Sequence, residues 1–331
     1  MASYHSSANL CQWDCGWFGR VLDSGYDKAP WREGGDHANW AFHPLFPLTA
    51  YPFHYWLKLS LATSLVFASK TALLLALYAF LLMIREHTIT NGDRFRAGSL
   101  VAFNPYLIYA HAGYSEPLYF ALLGFAFYYA GRARWLQSGI MSALLSATRL
   151  VGVVFCISYA MAVLKSLRGR FGWRNYDLSQ IIGFLLCPLG TALYMLYLYH
   201  HIGDAMGQVH VEVAWGRTAG NPFSVLFQCL AGHHWLRIWG FMIVAGFLAS
   251  AWLLKLCKAE LGIYLALALL IPLSSGYYGI ARYIWWQPPF LYAIYRILSR
   301  HTGAWVVYTA FTSGMAAFMI IGWFSGHNFV I

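Results

Sequence analysis

Residues 57–84 make a nearly unbroken apolar run: past Lys58 the one charged residue is Lys70, and the run stops at Arg85-Glu86-His87. A bilayer-crossing helix needs about 20 such residues. Further runs follow at about 98–112, 118–131, 178–200, 235–256, 261–277, 284–298 and 303–325, and a long one at 135–165 is interrupted by Thr148-Arg149. We divide that last run into two spans meeting at the arginine. Only 10% of the 331 residues are charged and 60% are apolar, where soluble domains carry about 25% charged residues. The expected fold is all-α: a polytopic membrane protein of about ten transmembrane helices, with residues 57–331 as one integrated helical domain. Lys70, inside the first run, must face a cavity or snorkel.

Residues 1–56 do not read as a span. They hold five of the twelve acidic residues, turn chemistry at Gly34-Gly35-Asp36 and two prolines in His43-Pro44-Leu45-Phe46-Pro47. The expectation is a catalytic loop on the outer face, with one or two amphipathic helices at the membrane interface. Residues 1–12 have neither a basic start nor an apolar run, so they do not read as a signal peptide.

Net charge is +10, and in an apolar chain this is topological rather than a sign of nucleic-acid binding. Lys and Arg gather in cytoplasmic loops. With residues 1–55 outside, the inner loops hold thirteen of the twenty-two basic residues. Both termini then lie outside. Asp14, Asp27, His43, Glu116, Arg149, Asp204 and Arg282 all fall on that outer side, dispersed in sequence but convergent on one face.

Asp14 lies in Trp13-Asp14-Cys15-Gly16-Trp17. A carboxylate among interfacial tryptophans is partly desolvated and suited to take a proton from an acceptor hydroxyl, although an acid in such a loop is also commonly just solvated. Asp27 fits the same role, or a pairing with Lys28 or Arg20. Arg149 and Arg282 sit at outer ends of apolar runs. There they either snorkel to lipid phosphates or fix a phosphate leaving group by parallel hydrogen bonds. Tyr283-Ile284-Trp285-Trp286-Gln287-Pro288-Pro289 after Arg282 suits a groove for an isoprenoid chain, or an aromatic belt. In Tyr114-Ser115-Glu116-Pro117, the plain reading is a helix start with Ser115 as N-cap, which leaves Glu116 able to touch substrate. The tandem histidines His200-His201 and His233-His234 point to different helix faces and lack carboxylate partners, so no metal site is expected. A divalent cation is left open, and no nucleotide motif is present. Of the six cysteines, Cys11 and Cys15 flank Asp14, where a disulfide is one option.

Taken in order, these motifs resemble the GPI mannosyltransferase II (PIG-V-like) family and its bacterial relatives in the GT-C superfamily. The matching stretches are Trp13-Asp14-Cys15-Gly16-Trp17-Phe18 with Gly25-Tyr26; Asn39-Trp40-Ala41-Phe42-His43-Pro44-Leu45-Phe46-Pro47-Leu48; Asn104-Pro105 with Ala112-Gly113-Tyr114-Ser115-Glu116-Pro117-Leu118; Ser146-Ala147-Thr148-Arg149; Gly203-Asp204 with Ala214-Trp215-Gly216-Arg217 and Asn221-Pro222; and Ala281-Arg282-Tyr283. The resemblance departs at two points. The family normally has a span before the acidic loop, whereas thirteen residues precede Asp14, and His43 stands where an aromatic residue is usual.

The resemblance implies an inverting glycosyltransferase that moves a hexose, typically mannose, from a polyprenyl-phosphate donor to an acceptor hydroxyl. Asp14 maps to the catalytic base. Arg282 and Arg149 map to the donor phosphate, with Tyr283 and Trp285 against the lipid. Trp13, Asp27, His43, Tyr114, Glu116 and Asp204 are the expected substrate contacts. Neither a cofactor nor a nucleotide sugar is implied. The expected partners are the lipid-linked donor, a glycan, lipid or protein acceptor, and membrane lipids. The expected setting is a bacterial plasma membrane with the site outside, or alternatively the endoplasmic reticulum with a lumenal site. A lipid-linked-sugar flippase, which needs no base, and a non-catalytic partner subunit of a transferase are the competing readings.

Overall fold

The computed structural model describes residues 10–31, 36–87, 90–167, 177–299 and 301–326. Arg32, Arg168, Arg170, Arg174 and Arg300, counted in the charge argument, lie outside them. All regular elements among the described residues are helical, apart from one isolated bridge between Trp31 and His37. In chain order they are α1 (Asp14–Ser24), α2 (Leu45–Tyr51), α3 (Leu61–Met83), α4 (Asn91–Ala102), α5 (Glu116–Ala130), α6 (Trp135–Ser146), α7 (Phe155–Ser166), α8 (Leu178–Leu186), α9 (Leu189–Ile202) and α10 (Gly207–His210). They continue with α11 (Pro222–Ala231), α12 (His234–Lys255), α13 (Ala259–Leu273), α14 (Ile280–Trp285), α15 (Pro288–Leu298) and α16 (Thr302–Phe324).

Three of these, α3, α12 and α16, are long and apolar enough to cross a membrane; α8 and α9, bent by 43° at their junction, make a fourth if taken as one span. Pro188 sits at that bend and cannot continue the helical hydrogen-bond ladder. Other expected spans are shorter or divided. The run at 98–112 is corrected: α4 ends before Asn104-Pro105, and a short 3-10 turn, Leu107–Ala110, follows. A residue before proline is driven out of the helical region. The Asn104 side chain fixes the break, accepting from the Tyr106 amide at 2.8 Å and donating to the Trp285 carbonyl at 2.8 Å. Likewise the run at 284–298 is cut at Gln287-Pro288-Pro289 into the end of α14 and α15.

The face chemistry of α3 is that of a membrane helix. Ala68, Ala72, Ala76 and Ala79 are buried, while Phe67, Leu74, Leu75 and Tyr78 are exposed. Small residues turned inward let α3 and α5 approach closely, and the large apolar side chains face outward, the reverse of a soluble amphipathic helix. Helices α5, α13 and α15 supply about a third of the buried apolar core. The segment before α3 lies across one end of this bundle, with α1 and α2 packed on α3.

Candidate active site

Asp14 opens α1, and the residue before it is strained. Trp13 has φ 49 and ψ −113, a conformation that costs a non-glycine residue about 1–3 kcal/mol and collects at functional sites. The surroundings hold it there. Cys11 and Cys15 form a disulfide across the turn, and the Trp13 ring stands edge-on to Trp323 at 4.6 Å. The Tyr114 hydroxyl accepts from the Asp14 amide at 3.2 Å and donates to the Gln12 carbonyl at 3.1 Å. Gly113 makes this approach possible: its φ is 74, and a Cβ there would lie 2.7 Å from Cys15 Sγ.

Four chain segments then meet. Arg282 Nη2 donates to Asp14 Oδ2 at 2.9 Å, and its Nε lies 3.5 Å from Glu116 Oε1. Arg149 Nη2 donates to that same Glu116 oxygen at 2.6 Å, and its Nε donates to Ser115 Oγ at 3.1 Å. Ser115 thus holds the N-cap position of α5 without capping it; its hydroxyl orients an arginine instead. Tyr283 lies among three guanidiniums. Arg217 donates to its hydroxyl at 3.1 Å, and Arg149 and Arg282 sit 4.9 and 5.2 Å from its ring centre. Gly279 is the second glycine the site needs: with φ 73, its added Cβ would lie 3.0 Å from Arg282 Nε.

The charges nearly cancel, because Asp14, Glu116 and Glu212 face Arg282, Arg149 and Arg217. Their hydrogen bonding does not close. Arg282 is 5% exposed and Glu116 1%, yet Arg282 Nε and Nη1 and Glu116 Oε2 have no hydrogen-bond partner. A buried polar group left unmet costs about 1–3 kcal/mol, more when charged.

The field of the cluster shows in its neighbours. Burial alone would raise the Tyr283 phenol; Arg217, Arg282 and Arg149 outweigh it and bring it down to about 8. Burial raises the Glu212 carboxyl despite Arg217 beside it. His43, 4% exposed, is pushed down to about 4 by burial, with Arg149 acting in the same direction.

Of the expected residues, Asp14, Tyr114, Glu116, Arg149, Arg282 and Tyr283 come together. His43 borders the cluster beside Ser146 and Arg149. Trp13 braces the Asp14 turn, and Trp285 packs edge-on to Phe290 at 5.3 Å, its indole nitrogen unpartnered. Two acids pair locally, Asp27 with the Arg20 that the sequence offered as one option. Asp27 binds Arg20 at 2.7 Å and clasps the Asn39 backbone; Asp204 accepts from the Met206 amide at 2.9 Å and pairs with His210 at 2.7 Å. Arg217 and Glu212 were not expected, although Arg217 stands in one of the ordered motif matches, the signal that places it. The chain matches no protein-family model, and no curated protein matches it significantly.

Proposed function

We propose that the protein is an inverting, polyprenyl-phosphate-sugar-dependent glycosyltransferase of GT-C type. Its helical bundle, about ten spans by the charge argument, would put the Asp14 site on the outer or lumenal face. One observation carries the reading. A buried arginine touches both Asp14 and Glu116, yet its Nη1, and its Nε at 3.5 Å from Glu116 Oε1, make no hydrogen bond. Phosphate oxygens would complete it, with Arg149 and Arg217 alongside, because guanidinium matches phosphate by charge and by fork geometry.

In the proposed step Asp14 accepts the proton of the acceptor hydroxyl. The acceptor oxygen forms a bond to the anomeric carbon as that carbon's bond to the phosphate oxygen breaks. Polyprenyl phosphate leaves, its new charge met by the three arginines. Attack opposite the leaving group inverts the anomeric configuration. Tyr283 and Trp285 border the path for the isoprenoid chain, and His43 flanks the sugar.

The test is incubation of the purified protein with radiolabelled polyprenyl-phosphate-mannose and candidate glycan, glycolipid and peptide acceptors. Wild type forms a labelled product, and Asp14→Asn loses about 10²–10⁴ in rate, the usual share of a general base, while still retaining donor. Labelled donor crossing a bilayer without product would identify a flippase. Full transfer by Asp14→Asn would remove Asp14 from the mechanism.

A further inference from the structure

A second charged recess lies at the opposite end of the bundle. Helix α3 starts beside the Asp14 segment, and Met83, its last residue, lies about 33 Å along the axis from Leu61 at 1.5 Å per residue. Met83 lines a cavity of about 490 Å³ formed where α3, α5 and α7 end and α6 and α13 begin, with Tyr292 of α15 on its wall. Its charged walls are Arg132, Lys165, Lys258, Glu86 and Glu260. None of them belongs to the Asp14 cluster.

Part of this charge is internally matched. Lys165 Nζ lies 3.6 Å from Glu260 Oε1. Arg132 and Lys258 have no carboxylate partner among the described residues. The Arg132 guanidinium rests over the Tyr128 ring at 4.3 Å, and Lys258 is half-buried at the start of α13. The first turns of α6 and α13 also face the cavity, through Trp135 and through Glu260 and Leu261. Helix N-termini present unpaired amides and the positive end of the helix dipole. His87 reports the same field: burial first, then Arg296 and Lys258, lower its pKa, while Tyr292 holds its ring at 2.9 Å.

We propose that this cavity binds the phosphate of a phosphodiester headgroup, with Arg132 and Lys258 as its ligands. Two cations without carboxylate partners, bordering one recess together with two helix N-termini, suit an oxyanion. The volume is within the range of about 300–1,000 Å³ typical of small-molecule sites. Its walls are mixed: Phe127 and Leu261 are apolar and adjoin the charged rim. That arrangement suits a headgroup continuing into an apolar chain. The cavity also lies at the end of a helix long enough to cross a bilayer, the level at which headgroups meet basic pockets between helices.

The experiment uses the full chain in detergent with native mass spectrometry. Phosphatidylglycerol is titrated against diacylglycerol, which has the same chains and no phosphate. The phospholipid is retained and diacylglycerol is not. Lys258→Gln and Arg132→Gln each weaken retention about tenfold, some 1.4 kcal/mol, whereas Arg94→Gln, outside the cavity, leaves it unchanged. Competition by soluble glycerol 3-phosphate at similar concentration assigns the site to a free phosphate ester; no competition assigns it to lipid. A second readout needs no variant: bound phosphatidylglycerol slows reductive methylation of Lys258 in the wild-type protein. Equal retention of both lipids, or an unchanged methylation rate, overturns the proposal.

Discussion

Asp27 and Asp14 stand in one N-terminal segment, and each binds an arginine, at 2.7 and 2.9 Å. The two pairs differ in what surrounds them. One Asp27 oxygen takes Arg20 and the other takes the Asn39 amide at 3.0 Å; its own amide donates to Asn39 Oδ1 at 2.9 Å, and its carbonyl accepts from Trp40 Nε1 at 2.7 Å. Every partner lies within thirteen residues, so this is a closed local clasp. The Asp14 partner comes from 268 residues away, is buried, and keeps two nitrogens unmet. A buried polar group without a partner needs an explanation, and the proposed phosphate contact would supply one at Asp14. At Asp27 both carboxylate oxygens are already paired.

The largest expected effect falls on Arg282. In Arg282→Lys the charge is kept, but one ammonium cannot serve Asp14, Glu116 and a phosphate with a planar fork. Transfer should fall about 10²–10³-fold, the size seen when one donor to a developing oxyanion is removed, with the melting temperature nearly unchanged. A fully active lysine variant would place Arg282 with the structural clasps and end the contrast.

His43 gives a test of similar size through pH. Its imidazole falls from 6.5 in the unfolded chain to about 4 in the fold. Between those values the unfolded chain binds the proton and the folded protein does not. Its contribution is therefore complete above pH 6.5, declines as pH falls through that window, and is flat below 4. The loss amounts to about 3 kcal/mol, from 1.36 kcal/mol per pH unit. His43→Phe should remove this sensitivity, measured as denaturation midpoints at pH 7 and 5. An unchanged acid response in that variant would assign it to other groups.

For Asp27→Asn the expected signature is the opposite of that at Arg282. Folding stability drops by about 1–3 kcal/mol because Arg20 and the Asn39 amide lose a charged partner. The specific activity of the folded fraction stays within about twofold. Lost turnover with unchanged stability would make Asp27 part of the chemistry.

The sequence made these charges visible but few of their partners, Arg20 for Asp27 being the exception. In an apolar chain any charge stands out, so Asp14, Glu116, Arg149 and Arg282 were legible as a set, and the charge rule put them on one side. Asp27 and Asp204 stood out by the same logic, and for Asp27 the pairing with Arg20 was one of the options read from the sequence. Their other partners, Asn39 and His210, are ordinary polar residues twelve and six positions on. Arg217 was missed because its place depends on how the 204–217 loop folds back onto Tyr283. Length told the same story in the fold. The runs that became α3, α12 and α16 were continuous; 98–112 and 284–298 were less apolar, and Asn104-Pro105 and Pro288-Pro289 divided them. Hydropathy measures whether a segment prefers lipid, and proline decides whether its backbone can stay helical.

The smallest signal, one tyrosine of 23, probes the cluster directly. Tyr283 ionises near 8 in the fold against 10 in the unfolded chain, because Arg217, Arg282 and Arg149 outweigh burial. Between pH 8 and 10 the unfolded state keeps a proton that the folded state has released. The stabilisation from this group is therefore full above 10 and is lost as pH falls through 8. Ultraviolet absorbance at alkaline pH should show one phenolate step near pH 8 in wild type and none in Tyr283→Phe. A polyprenyl-phosphate ligand brings negative charge to the same guanidiniums and should move the step upward. The local clasp at Asp27 would leave it where it was, so Asp27→Asn is the matched control. A wild-type titration without the early step would mean that the three arginines are neutralised by their own carboxylates, and that the unmet nitrogens of Arg282 do not project a field into the site.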